Sequence, residues 1–382
     1  MKQNIAFLLG SGISLKAGIP CTGQITEAVL SGDGFHWSTD RRYYLGPRAI
    51  DYDDGYISSV TKFLSRIKNE VDNYYSFNRR KHDTTYEDMF SVVSQLGDSE
   101  YGEYDNPALF ALREKILADS PQVLIGMGYK KSMNWTLAEL CSETIQYIKC
   151  IVTIKIGEKH DNISYLETFS NLLEIDSVER MKIFTLNHDT LIENYLSEKG
   201  IDFVDGFGFD GRRWVWDELN YELPRKKKEL KLLKLHGSIS WFYDTVEDGK
   251  IIRKPLPNDI RDIEGPEILI GTINKILDYS NRDIYWKIHG KFNNYLDETN
   301  ILIVSGYSFN DKVINSRIGN WFVGNRKLII IHPNIDKMKE KARPLLRRKW
   351  DAWEKTGNLK TIEDYFENVT TENLEYHIVN EN

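Results

Sequence analysis

The chain has 382 residues, of which 41% are hydrophobic and 28% are charged, and its formal net charge is −7. This balance is that of a globular protein with one large or two modest domains, and the negative charge excludes a general attraction to nucleic acid or anionic membranes. The three cysteines have unrelated spacings, which fit neither a disulfide framework nor a four-cysteine zinc site (Cys21, Cys141 and Cys150). No apolar run reaches transmembrane length, and the first residues read as a strand rather than a signal peptide, so we expect a cytoplasmic protein.

The first predicted strand covers residues 4–9 and leads directly into a loop that contains glycines. Gly10 permits a tight turn, and Gly12 lets the backbone approach a ligand without an intervening Cβ atom. A strand that opens through glycines into a helix can hold a pyrophosphate on backbone N–H groups. We therefore predict a phosphate-binding loop made of Gly10, Ser11, Gly12, Ser14 and, beyond it, Pro20. The alternative is an ordinary strand-to-helix turn built from small residues.

A helical module interrupts the alternation of strands and helices after this loop. Residues 35 to about 130 are rich in tyrosine and acidic side chains, and residues 135–157 and 163–178 also have helical patterns. We assign residues 35–178 to an inserted module. Its aromatic side chains are of the kind enriched at protein interfaces, although packing in the module's own core explains them equally well (Tyr43, Tyr44, Tyr74, Tyr75 and Phe77).

Four downstream strand-like runs each end in polar or glycine residues. These ends are Asn187-His188-Asp189, His236-Gly237-Ser238, Ser305-Gly306-Tyr307-Ser308 and His332-Pro333-Asn334. Ligands bind at the carboxyl ends of the strands in an open parallel sheet. The predicted fold class is therefore α/β, a Rossmann-like parallel sheet with helices on both faces, the inserted helical module and a small hairpin region at 240–254.

Two boundaries complete this organisation. Residues 1–335 form the predicted catalytic domain together with its insertion, and residues 336–382 form a C-terminal helical extension. The basic run at 225–228 precedes the strand that carries His236. It reads as a solvated loop, with a small electrostatic contact to a partner or polynucleotide as the alternative.

In this order the motifs resemble those of the sirtuin superfamily, and most closely those of the bacterial sirtuin-like NAD-consuming enzymes of antiviral defence. The resemblance spans residues 5 to about 335 and implies NAD as the substrate. The residues that carry it are Gly10-Ser11-Gly12-Ile13-Ser14, Asn187-x-Asp189-x-Leu191-Ile192-Glu193, Leu235-His236-Gly237-Ser238 and Gly306-Tyr307-Ser308-Phe309-x-Asp311.

Cleavage of nicotinamide from NAD passes through an oxocarbenium-like transition state, and its leaving group departs neutral. The enzyme therefore needs phosphate anchoring and a group that positions or deprotonates a hydroxyl or water, more than an acid for the leaving group. Asn187 is the candidate for positioning, because an amide both donates and accepts hydrogen bonds. His236 is the candidate base, since a free imidazole has a pKa near about 6.5. The resemblance places Asp189 beside them, supporting the loop or the nicotinamide pocket.

Each of these residues also has a structural interpretation. Asn187 could cap the helix that begins near Thr190, and His236 could be a turn histidine satisfied by backbone. His188 is interpreted as structural. A further set is predicted to bind phosphate or ribose, with a capped strand-to-helix turn or a turn asparagine as the alternative (Ser305, Gly306, Ser308 and Asn334).

Two departures from deacylating sirtuins bear on the activity. Those enzymes carry paired Cys-x-x-Cys motifs that hold a structural zinc, whereas residues 237–303 contain no cysteine. They also continue Gly-Ile-Pro with Asp-Phe-Arg, where this chain has Cys21-Thr22-Gly23. We therefore expect no zinc and no protein deacylation, and the replacement for the missing arginine is not evident.

The leading hypothesis is an NAD glycohydrolase that depletes NAD in abortive infection. Such an activity requires control, and no sensor domain is evident after residue 335, so we expect a homo-oligomer whose activity changes when a second protein binds. The resemblance implies a HerA-like ATPase as that partner. The alternatives are an NAD or ADP-ribose sensor without turnover, and a zinc-independent deacylase or ADP-ribosyltransferase.

Overall fold

The computed structural model describes residues 2–37, 43–46, 54–78, 83–103, 106–119, 136–157, 162–222, 230–244, 247, 249–254, 266–271 and 283–379. The chain divides into two compact units. The first, which we call the sheet unit, comprises Met1–Ile19, Lys159–Pro255 and Asp278–Asn382. The second, which we call the helical unit, comprises Pro20–Glu158 and Leu256–Leu277.

The sheet unit is built on seven parallel strands flanked by helices, which confirms the predicted fold class. Along the sheet the strand order is β13-β12-β11-β1-β4-β8-β5. The strands are β1 (Gln3–Leu9), β4 (Val178–Thr185), β5 (Phe203–Val204), β8 (Leu230–Lys234), β11 (Ile301–Ser305), β12 (Lys327–Ile331) and β13 (Leu359–Ile362).

The strand register brings the predicted polar segments to one edge of this sheet. The last residue of β1, Leu9, pairs with Ser305 of β11 on one side and with Thr185 of β4 on the other. Thr185 in turn pairs with Lys234, the last residue of β8. Because all four strands are parallel and end in register, the segments after them start side by side. The inner strands read as continuous apolar runs because they are covered on both faces.

The helices of the sheet unit follow or separate these strands. They are α6 (Glu167–Glu174), α7 (Leu191–Glu198), α8 (Asp283–Asp297), α9 (Lys312–Trp321), α10 (Ile335–Lys341), α11 (Pro344–Lys355) and α12 (Thr371–Val379). Short 3-10 helices cover Ser11–Ala17, Ser164–Leu166, Glu218–Glu222 and Phe366–Asn368.

A second, antiparallel sheet includes the predicted hairpin. Its order is β6-β7-β10-β9, with β6 (Phe207–Phe209), β7 (Trp214–Trp216), β9 (Trp241–Tyr243) and β10 (Ile251–Arg253). The pair β9–β10 is the hairpin expected at 240–254. Arg253 lies over the rings of Phe207 and Trp214, 4.9 Å from each centroid, and pairs with Asp205. This stack of aromatic rings and a paired cation stabilises a sheet whose strands have only three residues each.

The C-terminal segment differs from the predicted helical extension. Residues 336–379 do contain helices α10, α11 and α12, but Leu359–Ile362 form a strand that pairs in parallel with β12. The strand is short and only its first residue is fully buried, so its sequence lacks the continuous apolar run of a central strand. Its position at the sheet edge explains that pattern.

The helical unit contains α1 (Thr22–Ser31), α2 (Asp54–Phe77), α3 (Tyr86–Tyr101), α4 (Phe110–Asp119) and α5 (Leu137–Gly157). It also holds the strand pair β2 (Phe35–Trp37) and β3 (Tyr43–Leu45) and a 3-10 turn at Pro107–Leu109. None of the helices within the described ranges is both long enough and apolar enough to span a membrane.

The unit boundaries lie at other residues than those proposed from the sequence. Helix α1 groups with the helical unit, where the Tyr147 hydroxyl donates to the Val29 carbonyl. Helix α6 groups with the sheet unit, since the rings of Phe169 and Phe7 meet edge to face at 4.8 Å. The first segment of the helical unit therefore starts before residue 35 and ends before residue 178. The basic run at 225–228 lies outside the described residues.

The aromatic residues singled out in this unit fall into three groups. Tyr43 is buried, and its hydroxyl donates to that of Tyr56 at 2.9 Å, so it packs the unit's own core. Phe77 and Tyr74, near the end of α2, are 88% and 52% exposed. Tyr44 and Tyr75 are half-buried.

Candidate active site

Two loops meet backbone to backbone at the carboxyl ends of β1 and β11. The N–H of Gly10 donates to the Ser305 carbonyl and that of Gly12 to the Gly306 carbonyl, both at 3.0 Å. A Cβ atom on Gly10 would lie 2.5 Å from the Gly306 oxygen, and one on Gly12 would lie 2.7 Å from the Gly306 Cα. The absence of side chains at these glycines is therefore required by loop packing. Loop packing is a different reason for glycine at these positions than the close approach of a ligand inferred from the sequence. The Gly12 N–H is already used in the contact with Gly306.

Asn187 is joined to this loop by its side-chain amide. Its Nδ2 donates to the Gly10 carbonyl at 3.2 Å and to the Ser14 hydroxyl at 3.0 Å. The Ser14 hydroxyl donates in turn to Asp189 Oδ2 at 2.9 Å. These side chains, all at least nine-tenths buried, form one chain of hydrogen bonds that links the ends of β1 and β4.

The Asn187 carbonyl oxygen points to a function for this residue. Both Nδ2 hydrogens are used within the protein, while Oδ1 accepts no hydrogen bond from any residue that the structure describes. The helix-cap interpretation does not hold, because α7 begins at Leu191 and its N-cap is Thr190. The amide is thus held rigidly with one acceptor left for another molecule.

Asp189 supports the same loop from two sides. Its Oδ2 accepts from Ser14, and its Oδ1 accepts from the Leu191 N–H at 3.1 Å at the start of α7. The Asp189 carbonyl accepts from the ammonium group of Lys234, which also pairs with Glu193 at 3.0 Å. Lys234 is 2% exposed and lies two residues before His236. The loop that carries Asn187 is therefore tied to the end of β8.

His236 lies at the end of β8 opposite a carboxylate. Its Nε2 is 3.3 Å from Asp311 Oδ2, and both side chains are largely buried. The His188 ring lies 6.3 Å from the His236 ring. The turn-histidine interpretation is thus incomplete, since the partner seen here is a side chain from the Gly306–Asp311 segment.

A second histidine stays neutral behind His236. Burial, followed by the proximity of His236, lowers the pKa of His289 to about 4. Because a carbonyl can only accept, the 3.2 Å contact between His289 Nε2 and the Leu235 oxygen fixes the tautomer with the proton on Nε2.

The remaining predicted ligands occupy varied positions. Ser11 and Ser308 are exposed, Ser305 is buried in β11, and Gly306 is half-buried with a φ of 67°. Asn334 caps helix α10, its Oδ1 accepting from the Lys337 N–H at 2.7 Å, which is the structural alternative considered for it. Pro20 belongs to the helical unit and is half-buried there. Glycines and hydroxyls thus line the sheet edge, while Asn334 already has a structural partner.

Several residues at this site were not selected from the sequence. Asp311 is the last residue of the Gly-Tyr-Ser-Phe-x-Asp motif, and that position is the sequence signal that could have identified it as a site residue. Lys234 is a buried charged side chain at the end of β8, and a buried charge is itself a sign of a dedicated partner. Tyr165 donates from its hydroxyl to the Ile13 carbonyl at 2.6 Å, and no sequence signal marks it.

The chemical groups assembled here are an amide acceptor, an imidazole beside a carboxylate, and backbone turns at strand ends. Within the described part of the chain, no group of three or more His, Cys, Asp or Glu side chains is arranged to hold a metal ion. The arrangement suits the orientation of a hydroxyl group and the removal of its proton.

Part of the chain matches a protein-family model. Residues 181–352, which include Asn187, His236 and Asp311, match the family model described as the SIR2-like domain. The matched stretch is less than half of the chain. No curated protein matches the chain.

Solved structures that resemble the chain include several Sir2 proteins. A Sir2 homologue–NAD complex is 13% identical, with a TM-score of 0.41 over 98% of this chain and 89% of that one. A mutant Sir2 homologue with 2′-O-acetyl ADP-ribose is 12% identical, with a TM-score of 0.41 over 98% and 91%. A Sir2–p53 peptide–NAD⁺ complex is 12% identical, with a TM-score of 0.34 over 93% of each chain.

Proposed function

We propose that this chain is a sirtuin-like enzyme that hydrolyses NAD to nicotinamide and ADP-ribose. The observation that carries the proposal is the Asn187 amide, whose two donors are bound to Gly10 and Ser14 while Oδ1 is left to accept. The four ordered motifs and the SIR2-like family match over 181–352 support the choice of NAD as the substrate.

In the proposed reaction, Asn187 and His236 act on the attacking water. Asn187 Oδ1 accepts one hydrogen of the water and holds its oxygen toward C1′ of the nicotinamide ribose. As the N-glycosidic bond breaks, nicotinamide leaves with the bonding electron pair and becomes neutral. The water oxygen bonds to C1′, and His236 takes the released proton, which later passes to solvent. The products are nicotinamide, ADP-ribose and one proton.

The same edge supplies groups for the phosphates and the riboses. Each loop carries an exposed hydroxyl group, Ser11 in the first and Ser308 in the second. The Gly306 backbone of the second loop packs against Gly10 and Gly12 of the first. Because the Gly10 and Gly12 N–H groups are used between the loops, we assign the polar contacts with the ligand to the hydroxyls before the glycine amides. The proposed binding set keeps Ser14, Ser305 and Asn334 of the sheet unit as secondary members.

Release of nicotinamide from NAD by the purified chain tests this proposal. Asn187→Ala and His236→Ala should each lower the rate by at least about 100-fold, the usual contribution of a positioned proton-transfer group. Asn194→Ala, at an exposed asparagine of α7, is the control for the first, and His377→Ala, at a half-buried histidine of α12, is the control for the second.

The outcomes separate the candidate activities. NAD binding with no nicotinamide release would favour the non-catalytic sensor. Nicotinamide release only in the presence of an acylated peptide or an acceptor protein would favour a deacylase or ADP-ribosyltransferase. A near wild-type rate in either alanine variant would remove that residue from the mechanism.

We also propose that the activity depletes NAD in antiphage defence, and that a homo-oligomer bound to a HerA-like ATPase controls it. The support is the resemblance of the motifs, together with the need to restrain an enzyme that consumes cellular NAD. Light scattering, and nicotinamide release measured with and without the ATPase, test this control. A monomer that is fully active alone at physiological NAD would contradict it.

A further inference from the structure

We infer that Asp311 is a positioning residue that holds His236 and stabilises its protonated form. The inference rests on the proposed function, in which His236 takes a proton from the attacking water. It adds that the carboxylate makes His236 a stronger base and selects which ring nitrogen reacts.

The two oxygens of the Asp311 carboxylate have separate partners. Oδ1 accepts from the N–H groups of Val313 and Ile314 at 2.8 and 3.0 Å, which caps helix α9. Oδ2 lies 3.3 Å from His236 Nε2. This distance is within ion-pair range but longer than a charge-assisted hydrogen bond of about 2.8 Å, and catalytic contacts often shorten only when substrate binds. The carboxylate is therefore anchored by the helix and aimed at the imidazole.

The segment before Asp311 is held in a costly backbone conformation. Phe309 has a φ of 55°, in the left-handed region that aromatic residues rarely adopt. Asn315 from α9 maintains it, donating from Nδ2 to the Phe309 carbonyl at 2.7 Å and accepting at Oδ1 from the Tyr307 hydroxyl at 2.8 Å. Tyr307 also accepts from the Asp311 N–H at 3.2 Å. Strain that a network maintains in this way is typical of functional positions.

The groups that face His236 come from three elements besides its own strand. They are Asp311 at the start of α9, His289 of α8, and His188 after β4. Of this set Asp311 brings the negative charge, while a protonated His289 or His188 would oppose a positive charge on His236. Since burial keeps His289 neutral, Asp311 decides how readily His236 is protonated.

The geometry also assigns the two ring nitrogens. Nε2 faces the carboxylate, so in the neutral ring it carries the hydrogen and Nδ1 is the basic nitrogen. When Nδ1 takes the proton from water, the positive charge develops next to Asp311. The same logic operates wherever a carboxylate orients a catalytic histidine.

Asp311→Asn and Asp311→Ser separate this function from helix capping. Asparagine and serine both cap helices about as well as aspartate, so neither variant should lose the α9 cap. Asparagine retains the shape of the side chain but removes its charge, and serine is too short to reach His236. In both variants we expect unchanged thermal unfolding, within the measurement, and a kcat/KM for nicotinamide release that is lower by about 10- to 1000-fold. Asp311→Ala is the comparison that loses both the cap and the charge.

The decisive measurement is a titration of the His236 ring by ¹⁵N NMR, which does not depend on turnover. Loss of the neighbouring carboxylate should lower the His236 pKa by about one unit or more in Asp311→Asn. The acidic limb of the kcat/KM profile should move to lower pH by the same amount. An unchanged His236 titration in Asp311→Asn would overturn the inference, even if activity fell. If His236→Ala keeps full activity while the titration does shift, the ion pair stands and the proposed function fails.

Discussion

Gly306 shows how a single residue can join two loops of the site. Its φ of 67° lies in the left-handed region, and a Cβ atom there would be 2.4 Å from the Ile13 nitrogen and 2.7 Å from the Gly10 oxygen. Both the backbone conformation and the space therefore require glycine. The position of Asn187 depends on the same contact, because its Nδ2 donates to the Gly10 carbonyl.

Gly306→Ala should destabilise the protein much more than Gly324→Ala. The two glycines have nearly the same φ, 67° and 65°, but no atom lies within 4 Å of a Cβ at Gly324. Gly324→Ala should therefore lower the free energy of unfolding only by the cost of the left-handed backbone conformation, about 1–2 kcal/mol. Gly306→Ala adds a backbone clash, which we expect to bring the total to about 3 kcal/mol or more. Urea unfolding checks this; equal losses in the two variants would show that the loops separate freely.

At the scale of elements, a buried ion pair ties helix α7 to strand β8. Lys234 contacts Glu193 at 3.0 Å and donates to the Asp189 carbonyl. Burial raises the pKa of Glu193, and Lys234 opposes that rise. A buried pair of this kind is weak in net stability but costly to break, since either partner alone is an uncompensated charge. The pair therefore fixes the relative positions of the Asn187 loop and His236.

Lys234→Met should lower the free energy of unfolding by about 3–5 kcal/mol at neutral pH. Without the ammonium group the Glu193 pKa rises further, so the folded protein retains a proton that the unfolded chain releases near its ordinary pKa of 4.5. Stability then falls as the pH rises through that interval. The deficit relative to wild type should accordingly be larger at about pH 8 than at about pH 5. Urea unfolding at both values measures it.

The double variant Lys234→Met/Glu193→Gln supplies the control for this prediction. It removes both charges, so it should regain most of the lost stability and lose the pH dependence. A deficit in Lys234→Met that does not change with pH would show that the loss comes from packing rather than from the charge on Glu193.

At the scale of the whole molecule, the two ends of the chain pack together within the sheet unit. The Phe366 ring stacks on Phe169 at 5.3 Å and meets Phe7 of β1 at 6.3 Å, and β13 extends the sheet beyond β12. The C-terminal segment is therefore an integral part of the sheet unit and packs against its central strand β1. These contacts have a large sequence separation, so they close long loops.

Phe366→Ala should cost about 3–5 kcal/mol, because its ring is 3% exposed and its removal leaves a cavity against β1. Tyr365→Ala is the matched control, since that neighbouring ring is 53% exposed and should change stability by less than about 1 kcal/mol. Thermal unfolding of both variants tests the difference. Similar melting temperatures would mean that the C-terminal segment folds apart from the sheet.

The sequence by itself determined the central strands and the polar residues at their carboxyl ends. The apolar runs that end in Gly10, Asn187, His236 and Gly306 are local patterns, and parallel pairing brings strand ends to one edge whatever the rest of the fold does. The α/β class and the polar edge could therefore be predicted. The hairpin near residue 250 could be predicted for the same reason, since its pattern is also local.

The tertiary structure decided the partners. The contact of Gly12 with Gly306, the ion pair of His236 with Asp311, and the pairing of β13 with β12 each join segments that are separated in the chain. The type of a residue indicates whether it needs a close backbone neighbour, an opposite charge or an adjacent strand. Which segment supplies that neighbour depends on how the whole chain packs. For this reason Asn187 and His236 could be proposed as site residues from the sequence, while the partner of Asp311 is evident only in the folded protein.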